Sequence, residues 1–443
     1  MYKKTKLNFL NSKMGFNELK KRIMFVILSI IILRIGTFIS IPFINTNIFK
    51  NFINNNDNNL IINMFNIFSG GSLNNASIFS LGVMPYISSS MIIQLLTKLN
   101  INLLKKKNYE NDKYKINKYT IYGTFIISII QSFITIIGFN NLYIIKYFIK
   151  NLIYLIFFII TVLSLSLGTI LLVWIGNQIT KNGIGNGISV IIFTGILSEF
   201  YFSFIKIINK INKGYITYSM LIIILFLIFF ITFLIVLIES GQRQILINYP
   251  SPQARKIFSH KNTYLPLKIN MNGVVPAIFS SNLITIILTI ITWIKSKFKL
   301  NWINFIYIYF RPGNLIYTLI YSYIIIFFCL FYSKFVFDIK EISDNLKKSG
   351  AFITGIRPGQ NTEKYIYKIY NKITLLGSIY ITFICLISEF ISKIINYEIN
   401  FSSTSLLIIV VVIIDIINQI NTIMMSSKYK NIIDKLKPKN KLF

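Results

Sequence analysis

Apolar residues occur in long runs along this chain, and short polar segments separate the runs. An α-helix of about 20 predominantly apolar residues crosses a hydrocarbon core of about 30 Å. We therefore predict ten transmembrane helices, at residues 23–41, 76–96, 120–138, 152–175, 188–207, 219–238, 274–294, 315–337, 373–391 and 405–424. A further short amphipathic helix, which does not span the membrane, is predicted at residues 60–69.

Glycine and polar residues break the apolar stretch 63–97. Gly70 and Gly71 interrupt it, a patch rich in serine and asparagine follows them, and the next helix contains Pro85 and three consecutive serines. A broken helix at membrane depth is tolerated only where its freed backbone is buried in protein or faces a water-filled cavity. This stretch therefore predicts a polar path inside a membrane protein.

The composition agrees with an integral membrane protein. Hydrophobic residues make up 54% of the chain and charged residues only 14%, whereas soluble domains carry about 25% charged residues. The formal net charge is +32, which we attribute to basic loops facing the cytoplasm. Direct nucleic-acid binding is the alternative explanation, and the rRNA phosphates of a docked ribosome are then the expected ligand.

Basic residues in the loops predict the orientation of the chain. With the N-terminus inside, the cytoplasmic segments hold 34 of the 46 lysines and arginines, and the outer segments hold 11. Since positive residues accumulate on the cytoplasmic side of membrane proteins, both the N- and the C-terminus are predicted to be cytoplasmic. The expected location is the bacterial inner (plasma) membrane, with an organelle of bacterial origin as the alternative.

Ten spans divide into two sets of five, at about residues 1–210 and 211–443. An odd number of spans per set gives the two sets opposite orientations, as in the inverted repeats of many transporters, where the functional path lies at the repeat interface. Two predicted cytoplasmic loops, 239–272 and 338–372, are longer than helix connections need. Loops of this kind on a rigid bundle are where partners bind, and a merely solvated connector is the alternative.

Candidate catalytic residues are scarce. The chain has no Walker loop and no HExxH motif, and its single histidine, His260, lies in a loop. Cys329 and Cys385 lie in apolar runs and are interpreted as buried hydrophobic residues. We therefore expect no enzyme activity, no metal and no cofactor, so a partner must supply any energy that the protein uses. Secondary transport is one function that inverted repeats and broken helices allow. A transporter would normally need a compact substrate or ion site at the midplane, however, and no charged cluster marks one there.

Four charged residues lie within the spans or near their ends: Arg34, Glu199, Glu389 and Asp415. An intramembrane ionisable group is by default a candidate functional residue. Because no chain of such residues lines a proton path, structural pairing or snorkelling is the favoured interpretation for each of them.

Nine short motifs follow one another in a characteristic order and spacing. They are FSGG at 68–71, LGVMPYIS at 81–88, GIGNGIS at 183–189, LPLK at 265–268, GVVPAIF at 273–279, DNLKKSG at 344–350, GIRPG at 355–359, YITFICL at 380–386 and TSLLI at 404–408. On these motifs the chain resembles, almost end to end, the SecY family of bacterial protein-conducting channels. It departs from the family's pattern at Ser402 and Ser403, where glycines are usual, and at 250–256, which is less basic than usual.

The resemblance implies an all-α polytopic membrane protein with ten transmembrane helices in two inverted five-helix halves around a central pore. The implied substrates are nascent secretory chains and signal peptides, which cross the membrane unfolded or leave laterally into membrane lipid. A plug at about residues 60–75 would close the pore, with Met64, Phe65 and Phe68 packed under the pore ring. Its glycine pair, Gly70 and Gly71, would act as a hinge, and a fixed re-entrant helix is the alternative.

The resemblance also assigns a pore ring and a lateral gate. A ring of branched apolar side chains blocks ions by dewetting, and its members here are Val83, Ile87, Ile188, Ile192, Ile278 and Ile408. Without the resemblance, each of them would be interpreted as a core residue. The gate lies between the second and seventh spans, at Ser88, Ser89, Ser90 and Gln94 on one side and at Ser280, Ser281 and Asn282 on the other. Ordinary helix–helix contacts are the alternative role for these small polar residues.

The implied partners are an energy source, which is the motor ATPase SecA or the translating ribosome, and the small subunits SecE and SecG. SecE would clamp the two halves, and SecG would be accessory. Arg357, in the GIRPG segment, is the expected contact for SecA or the ribosome, because a planar guanidinium binds carboxylates and phosphates. Arg255 and Lys256 on the first long loop are further candidates, and a solvated loop charge is the alternative for all three.

Overall fold

The structure is a computed structural model that describes residues 2–42, 44, 46, 69–99, 109–138, 152–214, 217–248, 263–297, 309–310, 314–395 and 403–436. Within these ranges the chain forms eleven α-helices and three β-strands. The helices are α1 (Tyr2–Gly36), α2 (Met84–Leu99), α3 (Tyr109–Gly138), α4 (Leu152–Asn182), α5 (Gly187–Asn212), α6 (Tyr218–Ser240), α7 (Val275–Lys297), α8 (Leu315–Val336), α9 (Ile339–Lys348), α10 (Gln360–Ile395) and α11 (Ser403–Leu436). The strands are β1 (Gln242–Asn248), β2 (Thr263–Lys268) and β3 (Phe352–Ile353).

Each of the ten predicted spans overlaps one of these helices, although 23–41 extends past the end of α1 and 76–96 begins before α2. A helix suits a membrane because it pairs its backbone polar groups within the segment itself. Among the described residues, seven helices are long and apolar enough to cross a membrane. α6 shows how such a helix divides its surface, since its buried apolar residues are Ile224, Ile231 and Ile235. These three recur at helical spacing and form one stripe. Most other large apolar side chains of α6 are exposed, as expected for a helix that faces lipid.

The predicted span 76–96 is wrong at its start, since α2 begins only at Met84. Residues 70–83 form a series of turns instead, with an isolated bridge at Ser77, and most of them are buried. The burial of this turn segment agrees with the break that Gly70 and Gly71 predicted, because irregular backbone is tolerated at membrane depth only inside protein or beside water. Of the short helix predicted at 60–69, all residues but the last lie outside the described part of the chain.

Backbone hydrogen bonds explain why the chain before α2 is not helical. The N–H groups of Ile41 and Ile78 donate to the carbonyl oxygens of Ala76 and Ile39, at distances of 2.8 and 3.0 Å. The segment that follows α1 thus pairs with the turn segment and satisfies backbone groups that a helix would have paired internally. This pairing brings the end of α1 beside the turns that lead into α2.

The described helices fall into two compact units. The first unit contains α1, the turn segment, α3, α4, most of α2 and α5, and the last part of α11. In this unit α4 lies against both α3 and α1. Its buried apolar residues include a cluster of Ile41, Leu81, Ile136, Val162 and Leu165. The division of the sequence into inverted halves near residue 210 stays a prediction.

The second unit contains α6 to α10, the three strands and the first part of α11. Its strands form one antiparallel sheet in the order β2-β1-β3, with Gln242 opposite Lys268 and Ile247 opposite Ile353. Ile245 and Ile247 of β1 are both buried, because alternate side chains of a strand point to the same face. The two long loops predicted here therefore contain regular structure, which the sequence analysis did not anticipate.

The amphipathic helix α9 joins the two long loops through a shared apolar cluster. Ile339, Ser343 and Leu346 are its buried residues, and they lie on one helical face. Asp338 caps the helix, since its side chain accepts a hydrogen bond from the N–H of Glu341 at 3.2 Å. The cluster consists of Ile245, Ile247, Leu267, Ile339, Leu346, Ala351, Ile353, Ile366, Ile369, Tyr370 and Ile373. The sheet, α9 and the start of α10 thus pack as one body.

Candidate functional site

Hydroxyl groups give the turn segment 70–83 a defined shape. Ser72 is fully buried, and its Oγ donates a hydrogen bond to the carbonyl oxygen of Phe79 at 2.9 Å. The N–H of Ser77 donates to the carbonyl oxygen of Ser72 at 3.0 Å. Short hydroxyl side chains readily bond to nearby backbone groups and so compete with helix formation. The serines of this segment therefore stabilise turns where the apolar pattern alone predicted a helix.

The backbone favours glycine at both predicted hinge positions, and at Gly70 close packing excludes a side chain as well. Gly70 and Gly71 have φ angles of +69° and +77°, in the region that L-residues with a side chain rarely adopt. A Cβ atom at Gly70 would lie 2.6 Å from the Cα of Gly195 on α5, and one at Gly71 would lie 3.4 Å from Oε2 of Glu199. The hinge glycines therefore lie directly against α5.

Two side chains from different helices bind the carbonyl oxygen of Gly70. Nη1 of Arg34, on α1, donates to it at 3.4 Å. Oγ of Ser198, on α5, lies 3.0 Å from the same oxygen, and its single proton is shared with the carbonyl oxygen of Gly195 at 2.7 Å. Nη2 of Arg34 donates a further hydrogen bond to the carbonyl oxygen of Thr194 at 2.9 Å. The sequence analysis favoured structural pairing or snorkelling for Arg34. Its partners are backbone carbonyls beside the predicted hinge, which its position in the sequence did not indicate.

A cavity in the first unit adjoins this contact. Residues of α1, the turn segment, α4 and α5 line it, among them Arg34, Gly70, Val83, Leu172 and Ile191. Val83, a predicted pore-ring residue, thus shares a cavity with the hinge glycine and with the arginine that binds it. The predicted plug hinge and this part of the predicted ring are therefore neighbours in space.

The glycine-rich turn before α5 is bound from two sides. The N–H of Gly185 donates to Oε1 of Gln419 on α11 at 2.6 Å. The N–H of Gly187 donates to Oγ1 of Thr180 on α4 at 2.9 Å. The first N–H groups of a helix have no carbonyl acceptor within the helix. These two side chains supply acceptors at and just before the beginning of α5. The turn thereby fixes the place where Ile188 enters the helix.

The six predicted ring residues share one position in their helices, since each lies just before a helix or within its first two turns. Four belong to the first unit and two to the second. Ile188 is partly exposed, and the other five are buried, namely Val83, Ile87, Ile192, Ile278 and Ile408. Burial alone also suits a core residue, so the ring stays a prediction.

Most predicted gate serines bond within their own helices. Each of four hydroxyls donates to a carbonyl oxygen three or four residues earlier, in Ser88, Ser90, Ser280 and Ser281. A hydroxyl bonded in this way needs no partner on a neighbouring helix. These serines therefore present small side chains, each with a hydrogen bond inside its own helix.

Ser89 differs from the other gate serines. Its Oγ donates to the carbonyl oxygen of Thr120 on α3 at 2.8 Å, and a Cβ atom at Gly123 would lie 2.5 Å from it. Ser89 thus packs α2 against α3, which is the ordinary helix–helix role that the sequence left open. The two remaining predicted gate residues differ in exposure: Gln94, on α2, is exposed, and Asn282, on α7, is buried.

Arg357 is exposed on the turn that joins β3 to α10. Gly355 and Gly359 flank it with φ angles of +80° and +105°. The carbonyl oxygen of Arg357 accepts a hydrogen bond from Oγ1 of Thr362 at 2.9 Å. That of Gly359 accepts one from Oγ of Ser343, on α9, also at 2.9 Å. The turn is therefore fixed by its neighbours and presents the guanidinium to solvent.

Five predicted site residues lie outside the described part of the chain. They are the plug residues Met64, Phe65 and Phe68 and the loop residues Arg255 and Lys256. Sequence reasoning missed Thr194 and Ser198, whose backbone carbonyl and hydroxyl group take part in the contact at Gly70. Their one signal was a pair of hydroxyl residues one turn apart in an apolar run.

Comparison with known proteins identifies the family. A sequence model described as SecY matches residues 77–417. The protein translocase subunit SecY of Buchnera aphidicola subsp. Acyrthosiphon pisum (strain APS) is 48% identical over 437 residues, which cover 98% of this chain and 99% of the relative. The chain belongs to the SecY family. This membership confirms the resemblance that the nine motifs indicated.

Two solved structures share the fold. One belongs to a study of how the plug domain of the SecY protein stabilises the closed state of the translocation channel, and it has a TM-score of 0.65 at 14% identity. The other is Sec61 in the canine ribosome-channel complex from the endoplasmic reticulum, with a TM-score of 0.59 at 15% identity. Each likeness covers 95% of both chains. The predicted channel fold of the family is therefore confirmed.

Proposed function

We propose that this chain is the central channel subunit of a protein translocase in a membrane. It passes unfolded secretory polypeptides across the membrane and releases signal or transmembrane helices laterally into lipid. Membership of the SecY family over 98% of the chain carries the proposal, since the matched relative is a protein translocase subunit. The alternative, a secondary transporter, has no such support. The chain acts as a channel and not as an enzyme, so a partner supplies the energy.

The proposed pore ring consists of Val83, Ile87, Ile188, Ile192, Ile278 and Ile408. All six side chains are branched and apolar, and all lie at or near the beginning of a helix. A constriction of such side chains excludes ions by dewetting when it is empty. It also deforms around a passing chain without offering it a hydrogen bond. The shared position of these residues supports the assignment.

The proposed plug is the segment at about residues 60–75, with Met64, Phe65 and Phe68 under the ring and the glycine pair as its hinge. The left-handed backbone of both glycines and their contact with α5 support the hinge. Glycines absorb the backbone changes that a moving segment requires. In the solved relative, the plug domain stabilises the closed state and maintains a membrane seal.

The proposed lateral gate runs between α2 and α7. Ser88, Ser90 and Gln94 line it on α2, and Ser280, Ser281 and Asn282 line it on α7. The small size of the serines supports this role, because small polar residues let two helices approach closely and form only modest hydrogen bonds between them. Ser89 belongs to the same stretch, and its hydroxyl anchors α2 to α3.

Arg357 is the proposed contact for the energy source, which is SecA or the translating ribosome. Its exposure and the fixed turn beneath it support a docking role. A guanidinium held in place binds carboxylates or phosphates with little loss of side-chain freedom. The structurally similar Sec61 lies in a ribosome-channel complex, which supports the ribosome as a partner. Arg255 and Lys256 on the first long loop are proposed as further contacts.

The remaining partners and the location complete the proposal. SecE is proposed to clamp the two halves, and SecG to act as an accessory subunit. The proposed location is the bacterial inner membrane with both termini in the cytoplasm. The excess of basic residues in the segments on that side supports this orientation.

Ion conductance in planar bilayers tests the proposed function. The full chain, purified with its partner subunits, is compared with a variant that lacks residues 60–75. A plugged channel is expected to be silent, and the deletion is expected to leak. Equal silence in both, with the deletion variant shown to be folded and inserted, would remove the plug from the proposal. A second measurement, transport of a secretory polypeptide into vesicles driven by the motor ATPase, tests the channel itself.

A further inference from the structure

We propose that Arg34 is the positioning residue that holds the plug hinge in the closed channel, through the carbonyl oxygen of Gly70. This inference rests on the plug assignment above. Its basis is the guanidinium of Arg34, which bridges two backbone carbonyls from distant parts of the chain. One carbonyl belongs to the hinge, at 3.4 Å, and the other to Thr194 of α5, at 2.9 Å.

The chemistry of arginine suits this bridge. Its planar fork of N–H donors reaches two acceptors at once, whereas the lysine ammonium is a compact point charge on a flexible stem. Arginine also stays charged in proteins, so the group always donates and never accepts. Arg34 lies in an apolar run and is only partly exposed. A charge in such surroundings depends on its hydrogen-bond acceptors, and here the hinge supplies one of them.

Departure of the hinge would therefore be costly. If the plug moved and took the Gly70 carbonyl with it, the guanidinium would lose an acceptor in an apolar setting. The hydroxyl of Ser198 lies 3.0 Å from the same carbonyl oxygen but shares its proton with the carbonyl oxygen of Gly195 at 2.7 Å, so α5 adds a weaker contact to that of Arg34 on α1. Gly195 adds close backbone contact on the same side. The closed state thus receives a polar contribution that the open state lacks.

The location of the bridge connects it to the pore. α5 carries Thr194 and Ser198, and its first two turns carry the proposed ring residues Ile188 and Ile192. Thr194 follows Ile192 by two positions, so a displacement of α5 as a rigid helix would shift the ring and the anchor together. Arg34 itself lines the cavity that Val83 also lines. The hinge is therefore held by the same helix that contributes to the constriction.

The test compares Arg34→Met and Arg34→Lys with the unaltered channel, reconstituted as the full complex in planar bilayers. Arg34→Met is expected to raise the ratio of open to closed time about tenfold or more, as for loss of a hydrogen bond to a charged group. Arg34→Lys should give a smaller increase. Arg22→Met is the matched control, because Arg22 lies on the same helix and pairs with exposed Glu18 at 3.0 Å. It should leave the conductance unchanged.

The same substitutions in the variant that lacks residues 60–75 separate a role at the hinge from a general structural role. With the plug removed, Arg34→Met should add nothing to the leak. An equal increase in both backgrounds, or a silent Arg34→Met channel beside a leaky deletion, would overturn the inference and leave the plug assignment intact. A silent deletion would instead overturn the plug assignment.

Ser198→Ala provides a second, milder variant of the same contact. It removes one donor to the Gly70 carbonyl without removing a charge, so it keeps the inference testable if Arg34→Met does not insert. The expected result is a smaller rise in leak, again absent in the plug deletion. An unchanged leak in Ser198→Ala and Arg34→Lys together would count against the bridge.

Discussion

A Cβ atom on Gly187 would lie 1.8 Å from the carbonyl oxygen of Gly176, so α4 and α5 are in direct backbone contact at this point. No residue with a side chain fits there, because its Cβ would occupy the place of the oxygen. The contact determines where α5 begins. It thereby determines the position of Ile188, the next residue and a proposed member of the pore ring.

Replacement of this glycine tests the contact. Gly187→Ala is expected to lower the free energy of unfolding by about 1–3 kcal/mol, as overpacking does in close-packed interiors. The thermal unfolding midpoint of the purified protein in detergent measures the effect. Gly176→Ala is the matched control, since its Cβ would meet side-chain atoms of Ile188 and Ile191 at 3.2 Å, which can move aside. Equal midpoints for the two variants would contradict the backbone contact.

A buried amide–carboxylate pair stabilises the second unit. Nδ2 of Asn270 donates to Oε1 of Glu239 at 2.6 Å and to the carbonyl oxygen of Gly273 at 3.2 Å. Asn270→Ala should cost about 1–3 kcal/mol of stability, because a buried carboxylate loses a donor. Asn270→Asp should cost more, since it places a second carboxylate beside the first. Asn209→Ala, at an exposed position, should change stability by no more than about 0.5 kcal/mol in the same unfolding measurement.

The proposed docking residue is tested by charge reversal. Arg357→Glu should weaken binding of SecA or of ribosomes to the reconstituted channel about tenfold or more, because it replaces a charge-assisted contact by repulsion. The thermal midpoint should stay unchanged, since the side chain is exposed. Lys364→Glu makes the same charge change at another exposed position nearby and is the control. Unaltered affinity of Arg357→Glu for both partners would remove this residue from the docking surface.

The turn below Arg357 allows a finer test. Thr362→Val keeps the shape of the side chain but removes the hydrogen bond to the carbonyl oxygen of Arg357. A turn held less firmly presents its guanidinium in more orientations, so partner affinity should fall by a few fold while the charge is unchanged. The double variant with Arg357→Glu should be no weaker than Arg357→Glu alone. Additive losses would show that Thr362 acts elsewhere.

The pore ring is tested by a pair of isoleucines on one helix. Ile278 belongs to the proposed ring and Ile284 does not, yet both are buried on α7, with exposed fractions of 5% and 3%. Serine at either position should cost roughly 2–5 kcal/mol of stability, as for other large-to-small core changes. Only Ile278→Ser is expected to raise ion conductance, because a hydroxyl wets the constriction. A similar leak in Ile284→Ser would show that conductance follows lost stability rather than the ring.

The candidate site was predictable where it depends on residue type and local order. Gly70 and Gly71 marked the break before α2, and the GIRPG segment marked the exposed turn at Arg357. The role of Ser89 was not predictable, since nothing in a run of three serines shows which hydroxyl faces α3. Arg34 was visible as a charge in an apolar run, but its acceptors were not.

The sequence by itself determined the ten spans, because helix formation in a membrane depends on the length of an apolar run. It also determined the family, because each motif is a short unbroken stretch that can be recognised without the fold. Only the tertiary structure decided the beginning of α2, which depends on pairing with the segment after α1. It also decided the sheet that joins the two long loops. The bridge at Arg34 has the same origin, since its two acceptors lie 36 and 160 residues away in the chain. Partners at such separations leave no periodic pattern, so packing alone selects them.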